Sequence, residues 1–171
     1  MKAAAWRLPQ QLPDGRDCPA SNHMPSESTT KCTNCGKRNR LPVSAPGVPR
    51  CGFCHTALPW IVDAGADTFD AAIDASLPVL VDCWAAWCAP CRMLSPIVEQ
   101  VARDEAGRLK VVKLDVDSAP EIAGRLNAQS IQLLLLLRDG NEIDRLVGAV
   151  PRARLQAWLE PHLTSSTAAS P

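Results

Sequence analysis

Six of the eight cysteines in this chain fall into three C-x-x-C pairs: Cys32/Cys35, Cys51/Cys54 and Cys88/Cys91. That spacing puts two sulfurs on one tight turn, which suits metal ligation or thiol–disulfide exchange. A disulfide framework instead staples distant loops through long, irregular spacings. Eight cysteines in 171 residues also fall short of the density of small disulfide scaffolds. Of the two unpaired ones, Cys18 reads as an incidental exposed thiol and Cys83 as a small buried hydrophobe.

The compartment follows from the start of the chain. Met1–Trp6 carries one positive charge and a few apolar residues, and Arg7, Pro9, Gln10 and Gln11 then end the run. That is too short for the apolar core of a secretory signal, so a cytoplasmic protein is expected, in which paired cysteines mean metal or redox chemistry. No apolar run approaches the roughly 18 residues of a membrane span.

Residues 1–30 are rich in Pro, Ser, Thr and Gln without periodicity and read as disordered, with Met24 a possible alternative start. Residues 31–60 form a short module around two cysteine pairs, with too few apolar residues for a core of its own. Residues 61–165 read as one α/β domain. A short strand near Ile61–Val62 precedes a helix over Phe69–Ala75 capped at Asp67-Thr68, and Pro78–Trp84 is a buried strand. Leu94, Ile97, Val98 and Val101 mark an amphipathic helix over 91–106 with a kink at Pro96. Val112, Leu114 and Val116 alternate as a strand, and Ser118-Ala119-Pro120-Glu121 is a capping box that starts the next helix. Ile131–Leu137 is a strand, Asp139-Gly140 a hairpin turn, Asn141–Val147 the return strand, and Leu155–Leu163 a final helix. This β-α-β-α-β-α-β-β-α order predicts a mixed sheet with helices on both faces. Residues 166–171 read as a frayed tail.

The formal net charge is zero, but residues 1–60 carry +5 and residues 61–171 carry −5. No global field drives the chain toward nucleic acid. Only Phe53 and Trp60 could stack bases near the five basic residues of the module, so nucleic acid is not expected as a partner.

Cys32-x2-Cys35-x15-Cys51-x2-Cys54 fits the spacing of a four-thiolate zinc site. One structural Zn²⁺ is expected there, replacing the missing core. Two disulfides, a redox-labile site or iron are the alternatives. Gly36 and Gly52 stand where each knuckle is expected to turn, and His55 reads as a surface neighbour rather than a ligand. Cys88-Ala89-Pro90-Cys91 is different, because it follows a strand and opens a helix. Free N–H groups and the helix dipole there favour a thiolate on Cys88, with Cys91 placed to attack a mixed disulfide. Asp82, alone in an apolar strand, is expected to carry a raised pKa and to accept a proton near Cys91.

Residues 61–165 resemble thioredoxin, through Val81-Asp82-Cys83-Trp84-Ala85-Ala86-Trp87-Cys88-Ala89-Pro90-Cys91-Arg92-Met93, Val112–Asp117, Leu134–Leu136, Arg138-Asp139-Gly140 and Val147-Gly148-Ala149. With the double C-x-x-C module ahead, the chain from residue 31 is similar to the bacterial thioredoxin 2 branch of that family. The resemblance implies a thioredoxin fold preceded by a zinc-ribbon-like module, and a protein-disulfide reductase. Cys88 would attack, Cys91 resolve, and Asp82 act as acid/base with Lys113 as its partner. Trp84 and Trp87 would flank the dithiol, and substrate would meet Trp87, Ala89, Pro90, Ile131, Gln132 and Gly148. The redox-active disulfide would be recycled by NADPH-dependent thioredoxin reductase, with disulfide-containing proteins as substrates and no bound organic cofactor.

Three positions depart from the family pattern: Cys83 for Phe, Ala89 for Gly, and Gln132 where the family has a cis-proline. A cis bond before Gln132 would cost about 2.5–4 kcal/mol against about 0.5–1 for proline. Either a trans Ser130–Gln132 segment or a strained cis bond is expected. Without the proline, impaired turnover, a non-enzymatic binding module, or metal binding at Cys88/Cys91 are the competing readings.

Overall fold

A computed structural model describes residues 28–128 and 132–164. Cys18, Ile131, residues 1–27 and the expected frayed tail lie outside the described residues.

A five-stranded sheet forms the centre. It contains β3 (Trp60–Ala64), β4 (Val79–Trp84), β5 (Lys110–Asp115), β6 (Leu133–Arg138) and β7 (Asn141–Val147), after a small antiparallel hairpin of β1 (Thr29–Lys31) and β2 (Arg38–Arg40). The order is β3-β5-β4-β6-β7. β3 and β4 pair with β5 in parallel, whereas β6 runs antiparallel to both β4 and β7. The helices are α1 (Phe69–Ile73), α2 (Ala89–Asp104), α3 (Pro120–Arg125) and α4 (Arg152–Thr164). The expected mixed sheet with helices on both faces is observed, because β4 and β6 are apolar at nearly every position and need cover on both sides.

The strand alternation sorts side chains into two cores. One face packs Leu80, Val111, Leu134 and Leu136 against Leu94, Val98 and Val101 of α2 and Leu155, Leu159 and Leu163 of α4. The other packs Val62, Val81, Cys83 and Leu135 against Phe69 of α1 and Ile122 of α3. Cys32, Leu41, Cys51 and Leu58 belong to this second core, so the cysteine segment is buried against the sheet. Lys110 locks the two together: its ammonium donates to the Val43 carbonyl at 2.7 Å and lies 4.1 Å from the centroid of the Trp60 ring.

Several local expectations are corrected. Thr29–Lys31 is a strand, so order begins ahead of residue 31. Thr68 is the N-cap of α1 but makes no side-chain cap bond. Its hydroxyl instead accepts from the Gly65 N–H at 3.0 Å. The expected capping box at α3 is absent, because Ala119 is the N-cap and the Ser118 hydroxyl donates to the Asp115 carbonyl at 3.0 Å. α2 starts at Ala89, earlier than its apolar periodicity indicates, and continues past Pro96. β6 starts at Leu133, because Gln132 has left the β region at φ 69°. Asp139 and Gly140 both have positive φ, which fits the tight hairpin predicted for them. No helix among the described residues is long and apolar enough to cross a membrane.

Candidate active site

The three cysteine pairs separate into two sites. Cys88 and Cys91 form a disulfide at the start of α2. Cys88 is the N-cap residue, with extended backbone, and its sulfur accepts from the Cys91 N–H at 3.2 Å. Pro90 occupies the first turn, where the missing N–H leaves no bond unmade. On reduction the sulfur of Cys88 sits at the positive end of a 16-residue helix, the environment that favours its thiolate. Both cysteines pack with Ala85 and border Trp84 and Val116.

Trp87 is 65% exposed beside the disulfide, an unusual position for so large an apolar surface. Its indole N–H donates to Asp117 at 2.8 Å, which fixes the ring. Asp117 was not singled out by the sequence, where it reads as one more polar position of an alternating strand. Met93 is also exposed, and it borders a shallow apolar groove with Ile97 and Val150. Gly148 has φ 94° and donates its N–H to the Gln132 carbonyl at 2.9 Å. β6 runs antiparallel to β4 with Leu133 opposite Cys83, so Gln132 lies at the disulfide end of the sheet. Gln132 Nε2 is buried without a hydrogen-bond partner. The isomer of the bond ahead of Gln132 involves Ile131 and lies outside the described residues, among which no cis peptide occurs.

Asp82 is 1% exposed, and its Oδ2 has no hydrogen-bond partner. Burial pushes its pKa up to about 6, with Lys113 pulling it down and Glu99 pushing it up. The raised value expected from sequence is therefore present, with desolvation as its main cause. Lys113 is the cross-strand neighbour of Asp82, yet its ion pair goes to Glu99 at 3.4 Å. The expected Asp82–Lys113 partnership is thus one of proximity. Cys83 turns to the opposite core, and burial raises its thiol to about 12, so it is an inert packing residue as expected.

The sulfurs of Cys32, Cys35, Cys51 and Cys54 all lie within 4.8 Å of one another, and all four cysteines are free thiols. The closest pairs, Cys32–Cys54 and Cys35–Cys51, are each 3.5 Å apart. A tetrahedral shell with Zn–S near 2.3 Å separates its sulfurs by about 3.8 Å, so the residues fit zinc. The two knuckles share one design. Gly36 and His55 each follow the second cysteine, adopt positive φ (71° and 58°), and donate their N–H to the first cysteine's carbonyl at 2.9 Å. The second turn therefore rests on His55 and not on Gly52. His55 is exposed, in line with its reading as a non-ligand. Asn39 ties the knuckles together by accepting from the Gly52 N–H at 3.1 Å while its amide approaches the Cys51 sulfur at 3.6 Å.

The electrostatics of this cluster also suit a cation. The Thr56 hydroxyl and N–H hold the Cys54 thiol near 5, and the Cys54 and Phe53 N–H groups lower Cys51. Cys35 receives the Lys37 N–H, which lowers it, but burial and its three sulfur neighbours outweigh that and push it to about 12. Four thiols so close cannot all ionise unless a positive ion joins them.

Comparison with known proteins adds family information to this geometry. The family model described as Thioredoxin matches residues 59–161. Thioredoxin 1 of a Nostoc species is 44% identical over 91 residues, covering 53% of this chain and 85% of that protein. Thioredoxin of a Synechocystis species is 41% identical over 108 residues, 63% of this chain and 99% of its own. Thioredoxin C-3 of Corynebacterium nephridii is 37% identical over 136 residues, 77% of this chain and 93% of its own. That last match is longer than everything from residue 59 onward, so it reaches into the four-cysteine segment.

Proposed function

Because the chain belongs to the thioredoxin family, we propose that it is a protein-disulfide reductase working through Cys88 and Cys91, with a structural zinc module ahead of its redox domain. The observation that carries this reading is the buried, unpaired carboxylate of Asp82 on the strand that leads into a C-x-x-C helix start.

The reaction proceeds in two exchanges. The Cys88 thiolate attacks one sulfur of a substrate disulfide and expels the other as a thiolate, leaving a mixed disulfide. Cys91, losing its proton to Asp82, then attacks the Cys88 sulfur. The second substrate thiol leaves, and the Cys88–Cys91 disulfide closes, so two electrons pass from protein to substrate. Lys113 tunes Asp82, and Trp87, Ala89, Pro90, Ile131, Gln132 and Gly148 form the substrate-facing rim. NADPH-dependent thioredoxin reductase restores the dithiol in the cytoplasm, and no organic cofactor is bound.

Cys32, Cys35, Cys51 and Cys54 hold one Zn²⁺, which when bound supplies the positive charge that lets four thiolates share one site. The match to thioredoxin C-3 extends ahead of the redox domain, and the double C-x-x-C segment itself is what supports placing the chain near the thioredoxin 2 branch. Reduced turnover is the second reading. It is favoured by Gln132, a non-proline residue with a buried unpartnered amide on the rim.

Reduction of insulin disulfides tests the proposal. The unaltered protein should turn over with dithiothreitol or a reductase, Cys88→Ser should be inactive, and Cys91→Ser should accumulate a mixed disulfide. Inactivity of the unaltered protein, or full activity of Cys88→Ser, would overturn it.

A further inference from the structure

Lys113 stands in the middle of a charged row across one face of the sheet. Its cross-strand neighbours are Asp63 on β3 and Asp82 on β4. From α2 above that face, Glu99 takes the Lys113 ammonium at 3.4 Å, and its other oxygen lies 3.5 Å from Arg103. β6 offers Asp82 only Leu134.

Asp63, Glu99, Arg103 and Lys113 border a cavity of about 270 Å³ whose far wall includes Thr29 and Thr30 of the β1 strand. At about 30 Å³ per molecule, such a space holds several waters. Lys113 thus lines a space large enough for water and pairs with Glu99 there. On the neighbouring strand, in register with Lys113, sits the Asp82 carboxylate, whose Oδ2 has no hydrogen-bond partner.

A flexible four-carbon stem lets a lysine choose between acceptors. The choice matters here. A cation within about 4–6 Å lowers a carboxyl pKa by roughly 1–3 units, so a lysine closing on Asp82 would strip it of its proton.

We propose that Glu99 is a positioning residue for disulfide exchange: by holding the Lys113 ammonium toward the cavity, it keeps that charge from closing on Asp82 and leaves Asp82 free to cycle a proton with Cys91. The inference rests on the acid/base reading of Asp82. It adds a residue on α2 that touches neither the dithiol nor Asp82 in the hydrogen-bond pattern.

The test is a carboxyl-carbon NMR titration of Asp82 in the reduced full chain, run beside the pH dependence of mixed-disulfide resolution. In Glu99→Gln the Asp82 midpoint should fall by about one unit, and the resolution profile should move with it. Glu99→Asp, which keeps the charge, should return both toward the unaltered values. The same Glu99→Gln change in a Lys113→Gln background should move Asp82 far less, since no ammonium remains to be released. An unmoved Asp82 midpoint in Glu99→Gln, or an equal shift with and without Lys113, would overturn the proposal. A shifted midpoint with an unshifted resolution profile would uphold Glu99 as the residue that controls Asp82 and refute the acid/base role of Asp82 instead.

Discussion

Lys110 donates its ammonium to the carbonyl of Val43 at 2.7 Å, across 67 residues of sequence, and does so with no exposed surface. Burial lowers its pKa from 10.5 to about 8, with Asp74 pulling the other way. A lysine whose pKa is depressed on folding opposes the native state fully below the folded pKa, and ceases to do so above the unfolded one. Stability should therefore rise between pH 8 and 10.5 by up to roughly 3 kcal/mol from this group. Lys110→Met should remove that rise. Urea midpoints of both proteins across this range check the slope, and equal slopes would count against it.

Asp82 works in the opposite direction. Its folded pKa of about 6 lies above the ordinary value of 3.8. Its stabilising protonated form is thus fully present below 3.8 and is lost as pH rises through 6. Asp82→Asn should be more stable than the unaltered protein at neutral pH by roughly 2–3 kcal/mol, with the difference fading toward pH 4. The variant should also resolve mixed disulfides at least about a hundredfold more slowly, the usual scale for losing a general base. Denaturation at two pH values and a single-turnover thiol release assay would separate the two effects.

Element order was legible because apolar periodicity alone decides it. β4, β6 and the α2 stripe follow from runs such as Val79–Cys83 and from Leu94, Val98 and Val101. Caps were less legible. Thr68 and Ser118 both have the right hydroxyl, and each spends it on a backbone group of the preceding turn. The C-x-x-C spacings located both sites, since two sulfurs on one turn have few uses. Glu99 and Lys110 were invisible, as an exposed-looking Glu on a helix and a Lys at a strand start carry no local signal. Their roles arise only when β3, β5, α2 and the cysteine segment come together.

The four-cysteine cluster should carry about one zinc per chain when purified reduced, as closed four-thiolate sites do. Cys54→Ser removes one ligand and should lower that content and the urea midpoint together. Trp60 reports the event, because it is 1% exposed and its indole N–H donates to the Pro42 carbonyl at 2.8 Å, between the cysteine segment and the sheet. Zinc chelation should red-shift its emission. Zinc-free protein with unchanged emission would argue that the shared core holds the segment without metal.

The two knuckles offer an internal control on backbone strain. Gly36 and His55 occupy equivalent places at φ 71° and 58°, but only glycine adopts that conformation freely. His55→Gly should raise the unfolding free energy of the zinc-loaded protein by about 1 kcal/mol, and Gly36→Ala should lower it by a similar amount. A loss of stability in His55→Gly would mean that the imidazole does something beyond completing the turn.

Gln132 carries two costs at once: φ of 69° on a non-glycine residue and a buried amide nitrogen without a partner. Glycine would relieve both, so Gln132→Gly should be more stable by about 1–2 kcal/mol. Proline is another matter, since its ring fixes φ near −65° and cannot enter the backbone seen here. Gln132→Pro must therefore rebuild the segment between α3 and β6, including the carbonyl that receives the Gly148 N–H at 2.9 Å. If the resemblance to thioredoxins describes the productive rim, that rebuilding should raise the insulin-reduction rate above both the unaltered protein and Gln132→Gly, which keeps the present backbone. A proline variant that is slower than both would show that the reductase works with Gln132 as it stands, and that the rim is built around Gly148 rather than around the residue it bonds.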